Sequence, residues 1–348
     1  MTDQVLFTQE GQLGFITLNR PQALNALTLP MIMALQKQLT LWKEDESVKA
    51  VILRATPGNA FCAGGDVRWL YEFKKSKSAD QMQFFWHEYR LNHFIANFGK
   101  PYIALMDGIT MGGGVGVSMH GSHPVATERF VFAMPESSIG FFPDIGASYL
   151  LTQHAGSLGI YLGLTGNRLA PQDALKSGLV KHLISSEHIQ ALINALMNED
   201  LSAEAHEKVN HCLTTHASRP DHSSAIKPLI DVCFSHPSVE LICTALENEE
   251  GSWAASVYNT LMQKSPLSLK VILAQLKKAK GLSLAKCLQM DYDLASHFMK
   301  DNDFYEGVRA LLIDKDKEPK WNPSRLELIK ESTVVNYFEH SETLELLF

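Results

Sequence analysis

An α/β fold that continues into a helical C-terminal region is predicted by three features of the 348-residue chain. Ala50-Val51-Ile52-Leu53 and Tyr102-Ile103-Ala104-Leu105-Met106 are short unbroken apolar runs, the pattern of strands buried on both faces. Glycine-marked turns and helical patterns follow these runs, so that strand, turn and helix recur as a unit. From about Ser186 to Leu284 the periodicity is almost wholly helical. The length exceeds the usual single-domain size, and the expected division is a core over residues 1–185 and a mainly helical region over 186–348.

The elements follow in order. Val5 to Thr8 and Leu13 to Leu18 are β-rich runs separated by Glu10-Gly11-Gln12, which predicts a hairpin. Thr28 is a suitable cap, Pro30 falls in the first turn, and Ile32, Leu35, Leu39 and Trp42 recur at helical spacing. After the strand at Ala50, Thr56-Pro57-Gly58-Asn59 reads as a loop. A helix is expected over Ala79 to Phe98, ended by Gly99-Lys100-Pro101 before the strand at Tyr102. Pro124 to Thr127 and Arg129 to Ala133 supply further strands, and helices are expected after Asp144 and Ser157. Breaks at Arg219-Pro220, His236-Pro237 and Ser265-Pro266 divide the helical continuation.

Composition excludes several function classes. A net charge of −7 provides no footprint for nucleic acid, and the lysine runs Lys74, Lys75, Lys77 and Lys277, Lys278, Lys280 read as solvated helix faces. The five cysteines are far apart with no CxxC pair, which implies neither a disulfide framework nor a zinc site and fits a reducing cytoplasm. No run of about 18 apolar residues offers a membrane span, and Met1 to Glu10 lacks the basic start and apolar stretch of a secretory leader. His87, His93, His120 and His123 have no carboxylate motif around them, so no metal is expected.

Three loops could carry chemistry: Ala60-Phe61-Cys62-Ala63-Gly64-Gly65-Asp66, Met111-Gly112-Gly113-Gly114-Val115-Gly116, and Met134-Pro135-Glu136 continuing to Phe142-Pro143-Asp144. Glycine lets a ligand approach backbone N–H groups, and a helix start adds partial positive charge. Two such loops could aim two donors at one carbonyl oxygen, forming an oxyanion hole. The plainer reading is that these glycines only make tight turns. Val117 breaks the dinucleotide fingerprint, no GK[ST] follows for a P-loop, and Gly116-Val117-Ser118-Met119-His120 ends in His where a nucleophile elbow needs Gly. Read alone, Glu136 is a helix-start residue, Asp144 a helix N-cap, Glu88 a solvated helix carboxylate and Cys62 a small buried residue. Arg68 either reaches a phosphate or pairs with Glu72.

The order AFCAGGD, GITMGGGVG and FAMPESSIGFFPDIG resembles the crotonase superfamily, and the third segment resembles its 3-hydroxyisobutyryl-CoA hydrolase branch. Asn19-Arg20-Pro21 with Asn25-Ala26-Leu27, Leu164-Thr165-Gly166, and Asp303 to Ala310 with Asp314-Lys315-Asp316 and Trp321 are similar to further landmarks, so the resemblance spans nearly the whole chain. It implies a spiral of ββα units, acyl-CoA thioesters as substrates, and a helical C-terminal region that covers or completes the acyl-CoA site. It also implies an oxyanion hole at the N–H groups of Gly65 and Gly113, and it is compatible with a homo-oligomer, since members often assemble as trimers or pairs of trimers. No cofactor is implied, CoA being part of the substrate and a product.

The carboxylates then decide the reaction. Hydratases of the superfamily use two glutamates, one to deliver water and one to manage a proton. The first matches Gly116 here and is absent, the second matches Glu136, and Asp144 stands where hydratases generally carry glycine. The resemblance therefore implies hydrolysis of a short β-hydroxyacyl-CoA of the 3-hydroxyisobutyryl type, in valine breakdown. Glu136 would attack the thioester or activate water, Asp144 would bind the substrate hydroxyl or orient water, and Glu88 would contact substrate. The rivals are an enoyl-CoA hydratase or isomerase, or another acyl-CoA-transforming enzyme of the superfamily, and, from another class, a non-catalytic acyl-CoA-binding protein.

Overall fold

The computed structural model describes residues 3–76, 80–153, 156–218, 228–340 and 346–348. Arg219-Pro220, Lys77 and Ala79 lie outside these residues, as do the side chains of Lys74 and Lys75. Nine strands are described: β1 Val5–Glu10, β2 Leu13–Leu18, β3 Ala50–Ala55, β4 Ala60–Cys62, β5 Tyr102–Met106, β6 Ile109–Met111, β7 His123–Ala126, β8 Val131–Ala133 and β9 His182–Leu183. They form a six-stranded sheet ordered β1-β2-β3-β5-β7-β9 and a three-stranded sheet ordered β4-β6-β8. Only β1 and β2 pair antiparallel in the large sheet; the remaining pairs are parallel.

The recurring unit is a long strand of the large sheet, a short strand of the small sheet, then a helix. β3 and β4 lead to the helix Val67–Ser76, β5 and β6 to the helix Gly113–Met119, and β7 and β8 to a 3-10 turn Glu136–Ile139. This is the expected ββα succession. β3 begins with four buried residues and β5 is buried throughout, as their unbroken apolar runs predict. The expected strand over Arg129 to Ala133 is shorter, because Arg129 turns aside to pair with Asp107 and leaves only Val131–Ala133 in the ladder. Every described element after β9 is a helix or helical turn.

Compactness divides the chain differently from a cut at residue 185. One unit takes residues 1–65, 87–132 and 169–225; the other takes 66–86, 133–168 and 226–348. In the first unit, Leu13, Phe15, Ala50, Ile52, Ile103, Leu105 and Val125 present one sheet face to Leu192, Ile193, Leu196, Val209 and Leu213 from two helices. The helix Leu29–Glu44 starts where Thr28 accepts the Met31 N–H at 3.4 Å, and it buries Ile32, Leu35, Leu39 and Trp42 as its periodicity predicts.

In the second unit the helix Pro266–Ala279 is capped by Ser265, which accepts the Ser268 N–H at 3.1 Å, and packs against the helices Ala147–Thr152 and Leu158–Thr165. Phe141 meets Phe142, Phe298 and Phe304 at ring separations of 4.5, 5.4 and 5.5 Å, so the loop after Glu136 is embedded in aromatic packing. Lys277, Lys278 and Lys280 are exposed, as expected of a solvated helix face.

Candidate active site

In the first unit, the segment Leu24 to Leu27 acts as a rail for the first glycine loop. The Asn25 amide donates to Ala60 O at 3.1 Å, Ala63 N–H donates to Leu24 O at 3.0 Å, and Leu27 N–H donates to Gly64 O at 2.8 Å. Leu27 bridges Gly65 through the residues on either side of it, which leaves the Gly65 N–H itself outside the ladder. The second loop turns at Gly112, whose φ of 48° and ψ of −125° suit glycine, and Gly113 opens the next helix. A β-carbon on Gly113 would lie 3.2 Å from the Gly65 nitrogen and would collide with Glu88 Oε1, so the two loops and Glu88 meet around one backbone position. Neither the Gly65 nor the Gly113 N–H meets an acceptor among the described residues. Two neighbouring backbone donors without an acceptor among the described residues are available to a ligand oxygen.

Glu88 is only 2% exposed, so the reading of it as a solvated helix carboxylate does not hold. Cys62 is buried, donates to Asn25 O at 3.1 Å, and has its thiol pushed up to about 12 by burial and by the charge of Glu88; it is a packing residue rather than a nucleophile. Asn92 was not apparent in the sequence as a site residue. It lies one helical turn after Glu88 and is fully buried, with neither amide atom bonded among the described residues, and its nitrogen sits 2.7 Å from where a β-carbon on Gly116 would be.

In the second unit, Glu136 opens a 3-10 turn closed by Gly140 at φ 66°, and it is 7% exposed. Its Oε2 has no hydrogen-bond partner among the described residues. Burial raises its carboxyl well above the usual carboxylate range, and the negative charge of Asp144 adds to the effect. The landmarks elsewhere in the chain hold this turn. Ser137 Oγ donates to Leu164 O at 3.0 Å, a β-carbon on Gly166 would lie 2.9 Å from Pro135 Cα, and Asp303 O presses on the space beside Gly140. Asp303 is itself fixed by Ser265 Oγ at 2.6 Å and Asn322 N–H at 3.0 Å. Arg309 pairs with Glu306, Asp314 and Asp316, which accounts for the charged pattern of that motif.

Asp144 is 7% exposed and is not a helix N-cap: the following helix begins at Ala147 with Gly146 in the cap position. Arg68 donates to Leu312 O at 2.9 Å rather than to Glu72. Among the described residues no cluster of His, Cys, Asp and Glu could hold a metal ion, and no helix is long and apolar enough to cross a membrane.

Known proteins resemble this chain over nearly its whole length. Residues 13–338 match the enoyl-CoA hydratase/isomerase family model. The chain is 43% identical to a mitochondrial 3-hydroxyisobutyryl-CoA hydrolase of Xenopus tropicalis over 96% of this chain and 88% of the relative. It is 40% identical to that of Homo sapiens over 99% and 91%. Among solved structures, one described as a carnitinyl-CoA dehydratase from Mycobacterium thermoresistibile superposes with a TM-score of 0.91 at 36% identity, covering 100% of this chain and 99% of that one. Another, described as an enoyl-CoA hydratase from Rhodobacter sphaeroides, gives 0.88 at 33% identity over 99% and 100%. By the family match over most of its length and by relatives of at least 40% identity, the chain belongs to the enoyl-CoA hydratase/isomerase family.

Proposed function

We propose that this protein hydrolyses a short β-hydroxyacyl-CoA thioester, of the 3-hydroxyisobutyryl-CoA type, to the free acid and CoA. The observation that carries the reading is identity of 40–43% with relatives named 3-hydroxyisobutyryl-CoA hydrolase along almost their whole length. Two features of the residues support it. Position 116, where a hydratase of the superfamily carries a glutamate, is a glycine backed by Asn92, and Glu136 has an oxygen with no hydrogen-bond partner among the described residues, near the charge of Asp144.

In this reading the Gly65 and Gly113 N–H groups donate to the thioester oxygen as it becomes negative. The Glu136 carboxylate attacks the carbonyl carbon, the C–S pair leaves with CoA, and water then cleaves the resulting anhydride; alternatively Glu136 takes the proton of an attacking water. A carboxyl with a raised proton affinity is the stronger base once ionised, which suits either route. Asp144 binds the substrate hydroxyl or orients water, and Glu88 contacts substrate. No cofactor enters, the acyl-CoA is the small-molecule partner, and a homo-oligomer is compatible with the family. The reading places the enzyme in valine breakdown and, on the five buried free cysteines, in a reducing compartment such as the cytoplasm, although the relatives above are named mitochondrial.

The test is a panel of acyl-CoAs assayed for free thiol beside loss of enoyl absorbance. Thiol release from 3-hydroxyisobutyryl-CoA faster than hydration of crotonyl-CoA is expected; efficient hydration without thiol release would overturn the reading.

A further inference from the structure

Asp291 lies on the inner face of the helix Leu284–Lys300 and Gln275 on the helix Pro266–Ala279; both are fully buried. The Asp291 carboxyl spends its two oxygens on two donors: Oδ2 accepts the Gly146 N–H at 2.7 Å and Oδ1 accepts Gln275 Nε2 at 2.8 Å. Gln275 Nε2 also donates to Pro143 O at 2.9 Å. The residues tied down, Pro143 and Gly146, bracket Asp144. Between Asp144 and Gly146, Ile145 adopts φ 57°, a left-handed conformation that a β-branched residue rarely enters and that persists only where the surroundings over-determine it.

A buried carboxylate is a costly way to hold a loop. Well-packed apolar side chains of similar volume often stabilise a core as well or better, so stability alone does not account for an acid at this position. Burial and the charge of Asp144 push the Asp291 carboxyl up, and the Gly146 and Gln275 donors act against that. Two convergent N–H donors also explain why an acid stands here: an amide in its place would turn one NH₂ against a donor.

We propose that Asp291 and Gln275 form a buried clamp that sets the backbone at Pro143 and Gly146 and thereby positions Asp144 for thioester hydrolysis. The inference rests on the reading of Asp144 as a group of the active site. Asp291 is a positioning residue, acting through Asp144.

The experiment is a double-mutant cycle on the full chain, with kcat and KM for CoA release from 3-hydroxyisobutyryl-CoA measured well below each variant's melting temperature. Asp291→Asn is expected to lower kcat/KM at least tenfold in the parent background and less than twofold in the Asp144→Asn background, because the clamp has nothing left to position. An equal loss in both backgrounds, or a lowered melting temperature with parent kcat/KM, would assign the clamp to stability and overturn the proposal. Where Asp291→Asn does not fold, Gln275→Leu, which cuts the tie to Pro143, carries the same cycle with the same criteria; failure of both to fold also makes the clamp a folding element and overturns it. Should Asp144→Asn alone retain the parent rate, the assignment of Asp144 fails by itself, and that single variant distinguishes this outcome.

Discussion

The side-chain amide of Asn92 occupies the space that a β-carbon on Gly116 would need, its nitrogen 2.7 Å and its carbonyl carbon 3.1 Å from that position. The glycine is therefore matched to its neighbour, and a side chain there requires the Asn92 amide to move. Gly116→Glu is expected to confer no hydration of crotonyl-CoA and to lower stability, since overpacking costs about 1–3 kcal/mol. Adding Asn92→Ala should recover much of the lost melting temperature. A single Gly116→Glu chain of parent stability that hydrates crotonyl-CoA would contradict the packing argument.

The backbone donors give a second expectation. Gly113→Ala puts a methyl group against Glu88 and 3.2 Å from the Gly65 nitrogen, so it disturbs both loops at once. In the proposed reading these N–H groups serve the oxyanion, and displacing one forfeits up to about 2.7–4 kcal/mol, the cost of removing a donor, which at its full extent is a fall in rate of roughly a hundredfold or more. Initial rates of thiol release check it, with circular dichroism showing that the fold is kept.

Much of this was legible in the sequence, and the reasons are local. The buried strands at Ala50 and Tyr102 announce themselves because a strand covered on both faces needs an unbroken apolar run, and Thr28 announces its helix because its hydroxyl can accept the N–H three residues on. The motif residues around Leu164, Asp303 and Asn25 were visible as landmarks, but their physical work, bracing the Glu136 turn and the Gly65 loop, depends on contacts far apart in sequence. Glu88 and Asn92 could not be placed from helical spacing alone, because the helix Asp80–Ala96 is rich in both polar and aromatic residues and its buried face is ambiguous. Asp291 is a different case. It falls between Leu288 and Ala295 on an apolar helical face, and a single acid at such a position is the signal that a buried role would leave.

The raised carboxyl of Glu136 predicts how stability depends on pH. Its folded-state value lies above its unfolded value, so its contribution to stability is fully present below the ordinary glutamate range and is lost as pH rises through the folded value. Glu136→Gln does not titrate and escapes that loss. The variant should therefore melt higher than the parent at pH 8, and the difference should shrink toward pH 4; each tenfold change in proton affinity is worth about 1.4 kcal/mol. A melting-temperature difference that is the same at both pH values would contradict the burial argument.

The turn that presents Glu136 also has a strict requirement at its end. Gly140 has φ 66° and faces the Asp303 carbonyl, so Gly140→Ala combines a left-handed backbone with a collision against main chain. A loss of about 2 kcal/mol or more is expected in urea unfolding, with a fall in kcat, since backbone strain of this kind costs about 1–3 kcal/mol.

The central claim is that Glu136 performs the bond-making step of thioester hydrolysis, and single-turnover release of CoA from 3-hydroxyisobutyryl-CoA by Glu136→Gln tests it most directly. Gln keeps the size of the side chain but has neither basicity nor nucleophilicity, so the account predicts a rate lower by about 10²–10⁴-fold in a folded protein, and a smaller loss for Asp144→Asn. A folded Glu136→Gln protein that releases CoA at the parent rate would contradict it.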